Sequence, residues 1–333
     1  MPKTIDFLKK SLRFGEKFCI YPFIHFHLNT KKQRYLCCYS DFKSEPYTES
    51  GMADVRDLML NNQPVGSCSS CYIKEQNNIL SARQKAIKDF LPMANEVLTS
   101  IEQHEITRTV NPIWYDLRPS NLCNLECQMC EWTHSSSIAK SQGVDDSMLR
   151  WELDIEINPK SKRIYLAGGE PFLIKKYATM LNSVESSDCE IVVNTNATIL
   201  TERLLLALDK FNNINFTLSI DGYGSLNEKI RKNSCWNTIV QNIKILDDRY
   251  GSKKTFHVNT VVQKDNINHL LELGEWINGI GITRWTLVEL TKPAQFKYSN
   301  TTYNIPDELF KLNIINENFE NVSLLKKIKN AEN

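Results

Sequence analysis

Cys123, Cys127 and Cys130 lie in the run Ser120-Asn-Leu-Cys-Asn-Leu-Glu-Cys-Gln-Met-Cys-Glu-Trp132, a Cys-x3-Cys-x2-Cys spacing. Three thiolates this close can hold three corners of a four-iron cluster. A closed cluster takes four cysteines, and a structural zinc site takes four ligands. Three ligands from one loop leave one metal open. An open metal points to chemistry, because a purely structural site is capped. Spacing alone leaves a zinc or disulfide reading of these residues standing beside the cluster reading.

Cys19, Cys37, Cys38, Cys68 and Cys71 form a second group. Cys68-Ser-Ser-Cys71 is a metal-type Cys-x2-Cys. Cys37 and Cys38 are adjacent in the strand-like piece Tyr35-Leu-Cys-Cys-Tyr39, so their side chains point to opposite faces and one of them ligates comfortably. Four ligands (Cys19, Cys37 or Cys38, Cys68, Cys71) would close a site with no open metal, and four-cysteine zinc is an alternative for it. His25 and His27 share one face of Ile20-Tyr-Pro-Phe-Ile-His-Phe-His-Leu28 and read as packed or solvent-facing, not as ligands. Cys189 reads as a small buried hydrophobe. Cys235 opens a helix, where the dipole lowers a thiol pKa, and a hydrogen-atom donor role is an alternative for it.

The elements that must position these residues alternate in type from about Trp114 onward. Ile113–Arg118, Arg163–Ala167, Glu190–Asn194, Ile214–Ile220, Thr255–Val262 and Arg284–Val288 are short β-branched runs bounded by turn residues. Helical patterns with apolar residues at i, i+3, i+4 lie between them, over Leu200–Leu208, Trp236–Leu246 and Ile267–Ile277. Alternating βα units imply a parallel sheet. The expected fold is therefore α/β, a (β/α)6 partial TIM-type barrel over 106–290. A small separate module, 1–105, precedes it and carries a long helical pattern from about Asn78 to Gln103. A C-terminal extension, 291–333, follows, with short helices at Pro306–Asn316 and Val322–Ile328. Ligands of such sheets bind beyond the carboxyl ends of the strands. The three-cysteine loop, Gly168-Gly169, Asn194-Thr-Asn196 and Asp221-Gly222 all fall there.

Composition narrows the class. The chain has 333 residues, ten cysteines and a net charge of +1. That near-neutral balance gives no strong nucleic-acid or membrane signal. No apolar run approaches the ~18–20 residues that span a bilayer, and the charged start of the chain is no signal peptide. Ten cysteines suit a disulfide framework only in a small secreted chain, so their clustering reads as metal binding in a reducing, cytoplasmic setting.

Gly168-Gly-Glu-Pro171 follows the second barrel strand. Glycines allow close backbone approach to a ligand, and Pro171 pushes Glu170 toward an extended conformation. A plain strand-to-helix turn is the simpler reading of this run alone. Together with the cysteine spacing it resembles the signature of the radical S-adenosylmethionine (radical SAM) superfamily. That resemblance implies a SAM-binding 4Fe-4S cluster on Cys123, Cys127 and Cys130, with the free iron chelated by the amino and carboxylate groups of SAM. One electron then breaks the sulfonium bond and gives a 5′-deoxyadenosyl radical. Gly168, Gly169 and Glu170 are implied to orient the amino end of SAM. Asn194 and Asn196 would bond a ribose or carboxylate, with helix capping as the alternative. Ser219 and Asp221, in Leu-Ser-Ile-Asp-Gly222, fall near SAM ribose and substrate in the family. Arg231 resembles a position that meets the SAM carboxylate, although an arginine is as often a solvated surface residue. Met129 replaces an aromatic residue found beside the adenine in many relatives; it can still pack there. His134 reads as a capping or surface residue.

Phe18-Cys-Ile-Tyr-Pro22, the Cys37-Cys38 pair and Cys68-Ser-Ser-Cys-Tyr72, with Glu75, Ser81 and Arg83, resemble the twitch module, a shortened SPASM domain that holds an auxiliary cluster. Lys32 stands where that module usually has a glycine, five residues before the second ligand, and the spacing favours Cys37. The resemblance implies a second, auxiliary 4Fe-4S cluster on Cys19, Cys37, Cys68 and Cys71, serving electron transfer or substrate positioning. The expected activity is abstraction of a substrate hydrogen leading to oxidation or to peptide or protein modification. The expected partners are SAM, an electron donor such as flavodoxin or ferredoxin, and a peptide, protein or small-molecule substrate. A redox-neutral epimerase, isomerase or methyltransferase and a non-catalytic iron–sulfur protein are the alternatives.

Overall fold

The computed structural model describes residues 15–40, 46–90, 111–150, 154–290, 293–298, 305–316 and 319–330. Its strands are β1 (His25–Leu28), β2 (Arg34–Tyr35), β3 (Trp114–Leu117), β4 (Glu126–Cys127), β5 (Arg163–Leu166), β6 (Glu190–Thr195), β7 (Asn213–Ser219), β8 (Arg231–Lys232), β9 (Lys254–Val262) and β10 (Trp285–Glu289). The six barrel strands expected from the sequence are β3, β5, β6, β7, β9 and β10. All six pair in parallel within one sheet, of order β10-β9-β7-β6-β5-β3-β1-β2. Helices Lys176–Asn182, Glu202–Leu208, Trp236–Tyr250 and Leu270–Gly279 cross between them. This is the α/β partial barrel the alternation implied.

Strand register sorts the residues onto two faces, because side chains alternate with a period of two. Leu28, Leu117, Leu166, Val193 and Phe216 lie side by side in one row. They join the main core beneath the helices. The row one residue earlier is His27, Asp116, Tyr165, Val192 and Asn215. That second face is largely polar, continuing through Asn194, Thr217, Ser219, His257, Asn259 and Thr286. A sheet face lined with amides, hydroxyls and ions is not built to be filled by apolar packing; it is the face on which a ligand can be held.

The N-terminal module differs from the expected separate unit. It has its own core, built on Phe18, Phe23, Met52, Met59 and Ile87. Yet β1 pairs in parallel with β3, so the module adds two strands to the barrel sheet. The run Ile20–Leu28 is a strand only over its second half. Pro22 sits in the first turn of a short helix, Tyr21–Ile24, where proline's fixed φ suits a helix start. Tyr35–Tyr39 is likewise a strand only at Arg34–Tyr35, and Cys37 and Cys38 lie in the turn beyond. Of the helical pattern from Asn78 to Gln103, Ala82–Asp89 is a helix opened by a capping box from Ser81 and Gln84. Residues 91–103 lie outside the described residues.

The C-terminal segment packs into the main core through Ile315, Leu325 and Ile328. Its helices span Asp307–Lys311, Asn313–Asn316 and Phe319–Asn330. Asn321 closes the exposed edge of β10: its amide donates to Trp285 O at 2.7 Å and accepts from Leu287 N at 2.8 Å. Lys85 of the module meets Glu320 beside it, 2.5 Å away. The module therefore touches β3 near one end of the sheet and the helix docked on β10 at the other. Among the described residues, no helix is long and apolar enough to cross a membrane.

Candidate active site and a second cysteine pocket

The three-cysteine loop leaves the carboxyl end of β3 and is pinned on three sides. β4, which contains Cys127, pairs antiparallel with β8, setting Cys127 opposite Arg231. Asn124 donates to Thr198 at 2.8 Å and accepts from the Asn196 amide at 3.1 Å, which ties the loop to the end of β6. Ser136 and Ser137 both donate to Cys123 O, at 3.1 and 2.9 Å. All three cysteines are partly buried and free.

Gly168-Gly-Glu-Pro171 supplies the fourth wall. Gly169 N donates to Ser120 O at 2.8 Å and Glu170 N to Leu122 O at 2.6 Å. A Cβ on Gly169 would stand 2.0 Å from Leu122 O, and Gly168 holds φ +113°. The glycines thus serve an approach of backbone to backbone, drawing the cysteine loop onto the end of β5. The Glu170 carboxylate turns away from the open face. It accepts from Thr195 Oγ1 at 2.7 Å and from Asn196 N at 2.8 Å. Burial raises its pKa to about 7, against the opposing pull of those hydrogen bonds.

Asn196 is buried, and its oxygen accepts from Thr198 N at 2.9 Å, so it braces the turn after β6. Asn194 and Ser219 are half-buried on the polar face. Asp221 is fully buried. Its carboxylate accepts from Val261 N at 2.7 Å and pairs with Arg231 Nε at 2.7 Å. Arg231 is not a solvated surface residue: it is nearly buried, with Nη1 3.7 Å from Cys127 Sγ. Burial raises the Asp221 pKa while Arg231 opposes it. His134 is exposed and bonds Thr133 at 2.9 Å, as a surface role requires. Cys189 is buried, and Cys235 is an exposed helix N-cap whose pKa falls through hydrogen bonds from the first turn.

Donor chemistry tests whether a cluster fits. Burial, reinforced by the neighbouring thiols, pushes Cys123 and Cys130 up to about 12. Cys127 is raised by burial too, with Arg231 pulling it back. Crowded thiols of this kind ionise together only when a metal takes the charge. No three His, Cys, Asp or Glu side chains converge on a single-ion position among the described residues. An iron–sulfur cube asks for a wider triangle, because each thiolate takes a different iron. Next to the loop, Gln263 Oε1 is buried without a hydrogen-bond partner among the described residues, while its Nε2 holds Gln128 at 2.8 Å. The residues fit the group.

A second pocket, in the module, is lined by Cys19, Cys37, Cys68 and Cys71. Burial, with the other thiols, raises Cys19 strongly, and burial lifts Cys37 to about 11 and Cys68 to about 12. Beside it, Arg83 donates to Phe18 O at 2.6 Å and to Glu75 at 3.0 Å, and Ser81 bonds the same carboxylate. Cys38 points elsewhere, toward Asp116 and Arg118. Lys32 takes φ 61°, so the turn keeps the left-handed geometry a glycine would give. Its ammonium reaches Met148 O of the barrel.

One cluster escaped the sequence reading. On the polar face, Asp116 meets His27 Nδ1 at 3.1 Å and Arg118 Nε at 3.1 Å, and Arg118 lies over the Tyr165 ring. Its signal was present, since Asp116 and Arg118 stand two apart at a strand end and so share a face.

Residues 117–277 match the family model described as Radical SAM superfamily. The chain is 25% identical over 218 residues to a tungsten-containing aldehyde ferredoxin oxidoreductase cofactor-modifying protein of Pyrococcus furiosus. That match covers 59% of this chain and 58% of the relative, less than two thirds of its length. The solved structure of native anSMEcpe with bound AdoMet aligns with a TM-score of 0.44 and 17% identity, over 62% of this chain and 59% of that one. The crystal structure of Streptococcus suis SuiB aligns with a TM-score of 0.42 and 17% identity, over 96% and 70%. Residues 117–277, just under half of the chain, are thus similar to the radical SAM superfamily.

Proposed function

We propose that the protein is a radical SAM enzyme that takes a hydrogen atom from its substrate and oxidises it, acting on a peptide or protein. The observation that carries the reading is the joint construction of the two motifs. The Gly168-Gly-Glu-Pro171 backbone is bonded to the backbone of the three-cysteine loop at Ser120 and Leu122, so the two motifs form one structural unit at the carboxyl ends of the strands. Cys123, Cys127 and Cys130 would hold a 4Fe-4S cluster. Bound there with SAM, it supplies one-electron reductive cleavage to methionine and a 5′-deoxyadenosyl radical. Asn124 and Asn196 keep the loop on β6, and Asp221 aims Arg231. Asn194 and Ser219, half-buried on the polar face, are offered to the ribose or substrate. Glu170 acts from behind, by fixing Thr195 and Asn196.

In the module, Cys19, Cys37, Cys68 and Cys71 would hold an auxiliary 4Fe-4S cluster that accepts the substrate electron. The donor for the first cluster would be a flavodoxin or ferredoxin, and the setting cytoplasmic. Support for a peptide substrate is by similarity alone: SuiB and anSMEcpe have been solved with a precursor peptide and with Cys-containing peptides. The test is anaerobic reconstitution, reduction with dithionite, and chromatography of SAM products. Wild type should form 5′-deoxyadenosine and methionine, and Cys127→Ala should form neither. Equal turnover in that variant sinks the reading.

A further inference from the structure

The polar face of the sheet carries amides and hydroxyls across most of its width. Where the module meets it, next to β1, the charge pattern changes. Asp116 is buried on β3 and is engaged from several sides. His27 Nδ1 lies 3.1 Å from it, Cys38 lies beside it, and Arg118 grips it through Nε at 3.1 Å and Nη2 at 3.3 Å. The Tyr165 ring lies 5.7 Å from the guanidinium carbon. The guanidinium is therefore fixed in place by a side-on pair and a ring.

It is fixed but not used up. An arginine has five N–H donors in a planar fork. Asp116 takes one on Nε and one on Nη2, and Nη1 has no hydrogen-bond partner among the described residues. The side chain keeps 31% of its surface accessible, against 11% for Arg231 in its pair with Asp221. Arg118 also occupies a telling position. It lies five residues before Cys123, at the root of the cluster loop, and faces Cys38, the neighbour of a thiol in the second pocket. Arg118 therefore stands where the root of the cluster loop comes beside the module turn that carries Cys38.

We infer that Arg118, braced by Asp116, anchors a carboxylate of the substrate, and that the substrate class is a molecule with a free carboxylate at one end and hydrogen-bonding groups along its length. A peptide with its own C-terminus, or an acidic side chain near the reacting residue, has this chemistry. A planar fork with free donors pairs with a carboxylate in two parallel bonds. The uncharged wall of Asn194, Thr217, Ser219, Asn259 and Thr286 then offers rungs for peptide amides. The inference rests on the proposed function for its setting, but binding can be measured without turnover.

SAM also carries a carboxylate, so the test must separate the two sources. The probes are N-acetyl-trialanine with a free carboxylate and the same tripeptide as its C-terminal amide. Each is titrated by ligand-observed NMR into the reconstituted full chain at saturating SAM. SAM affinity is measured in parallel. Wild type should bind the acid at least tenfold more tightly than the amide. Arg118→Gln should erase that difference, and Arg118→Lys should keep part of it, as a point charge without the fork. SAM affinity and unprompted 5′-deoxyadenosine formation should change less than twofold in both variants. Equal binding of acid and amide by wild type, or no binding of either, overturns the inference. So does a tenfold loss of SAM affinity in Arg118→Gln, which would give the carboxylate to SAM. Absence of 5′-deoxyadenosine from wild type would instead overturn the proposed function, and the two failures read out separately.

Discussion

Arg231 Nη1 stands 3.7 Å from Cys127 Sγ, and the same guanidinium is held by Asp221 at 2.7 Å. The loop that carries the cysteines and the strand end after β7 are thereby joined by charge as well as by the β4–β8 pairing. Breaking a buried pair by removing one partner costs roughly 3–5 kcal/mol, because the other charge stays buried. Asp221→Asn should therefore lower the stability of the apo protein by about that amount in urea titration, and reduce iron retained per chain after reconstitution. Unchanged stability would mean that Arg231 is not paired in solution.

Gly169→Ala tests the backbone approach that joins the two motifs. The added methyl would fall 2.0 Å from Leu122 O, which is a main-chain atom and cannot swing aside. The cysteine loop must move. The variant should retain its helices by circular dichroism, lose several-fold in iron bound at the barrel site, and leave the module's metal unaffected. Normal iron content would show that the two backbones do not pack this closely.

Cys37→Ser and Cys38→Ser should behave differently, although the residues are neighbours. Cys37 lines the pocket with Cys19, Cys68 and Cys71, whereas Cys38 turns to Asp116. Only the first variant should lose metal from the module, read as iron and sulfide per chain. Equal losses would place both thiols on one centre.

Glu170 predicts a pH dependence of stability. Its carboxyl moves from 4.5 to about 7 on folding, because burial penalises the charged form. A raised acid binds more protons folded than unfolded between those values, so its stabilisation is full below pH 4.5 and is lost as pH climbs to about 7. The gap is worth roughly 3 kcal/mol. The stability of wild type minus that of Glu170→Gln, from urea titrations of the apo protein, should fall between pH 5 and 7.5 and level off above. A difference that stays flat across this range would place the carboxylate in water.

Much of the barrel was legible in the sequence, because its strands are β-branched runs cut off by turn residues and its helices are strongly amphipathic. The convergence of Cys123, Gly168, Asn196 and Asp221 followed from topology, since parallel strands bring their carboxyl ends to one rim. What escaped was long-range. Nothing in His25–Leu28 says that it pairs with Trp114–Leu117, for both are four-residue runs of mixed polarity that many strands could accept. Tyr21–Ile24 misled for the same reason, an apolar run too short to show a period. The direction of the Glu170 side chain, into Thr195 and Asn196, depends on the neighbour strand. Lys32 stands where glycine was expected, and the φ of 61° shows the turn persisting without it, against a backbone preference worth about 1 kcal/mol.

The most direct measurement of the central claim is the EPR spectrum of the reduced, reconstituted protein before and after SAM is added. A cluster on Cys123, Cys127 and Cys130 with one free iron should change its g-values when SAM binds, and that signal should vanish in Cys127→Ser while the module's signal remains. A spectrum indifferent to SAM, or zinc in place of iron on these three cysteines, would contradict it.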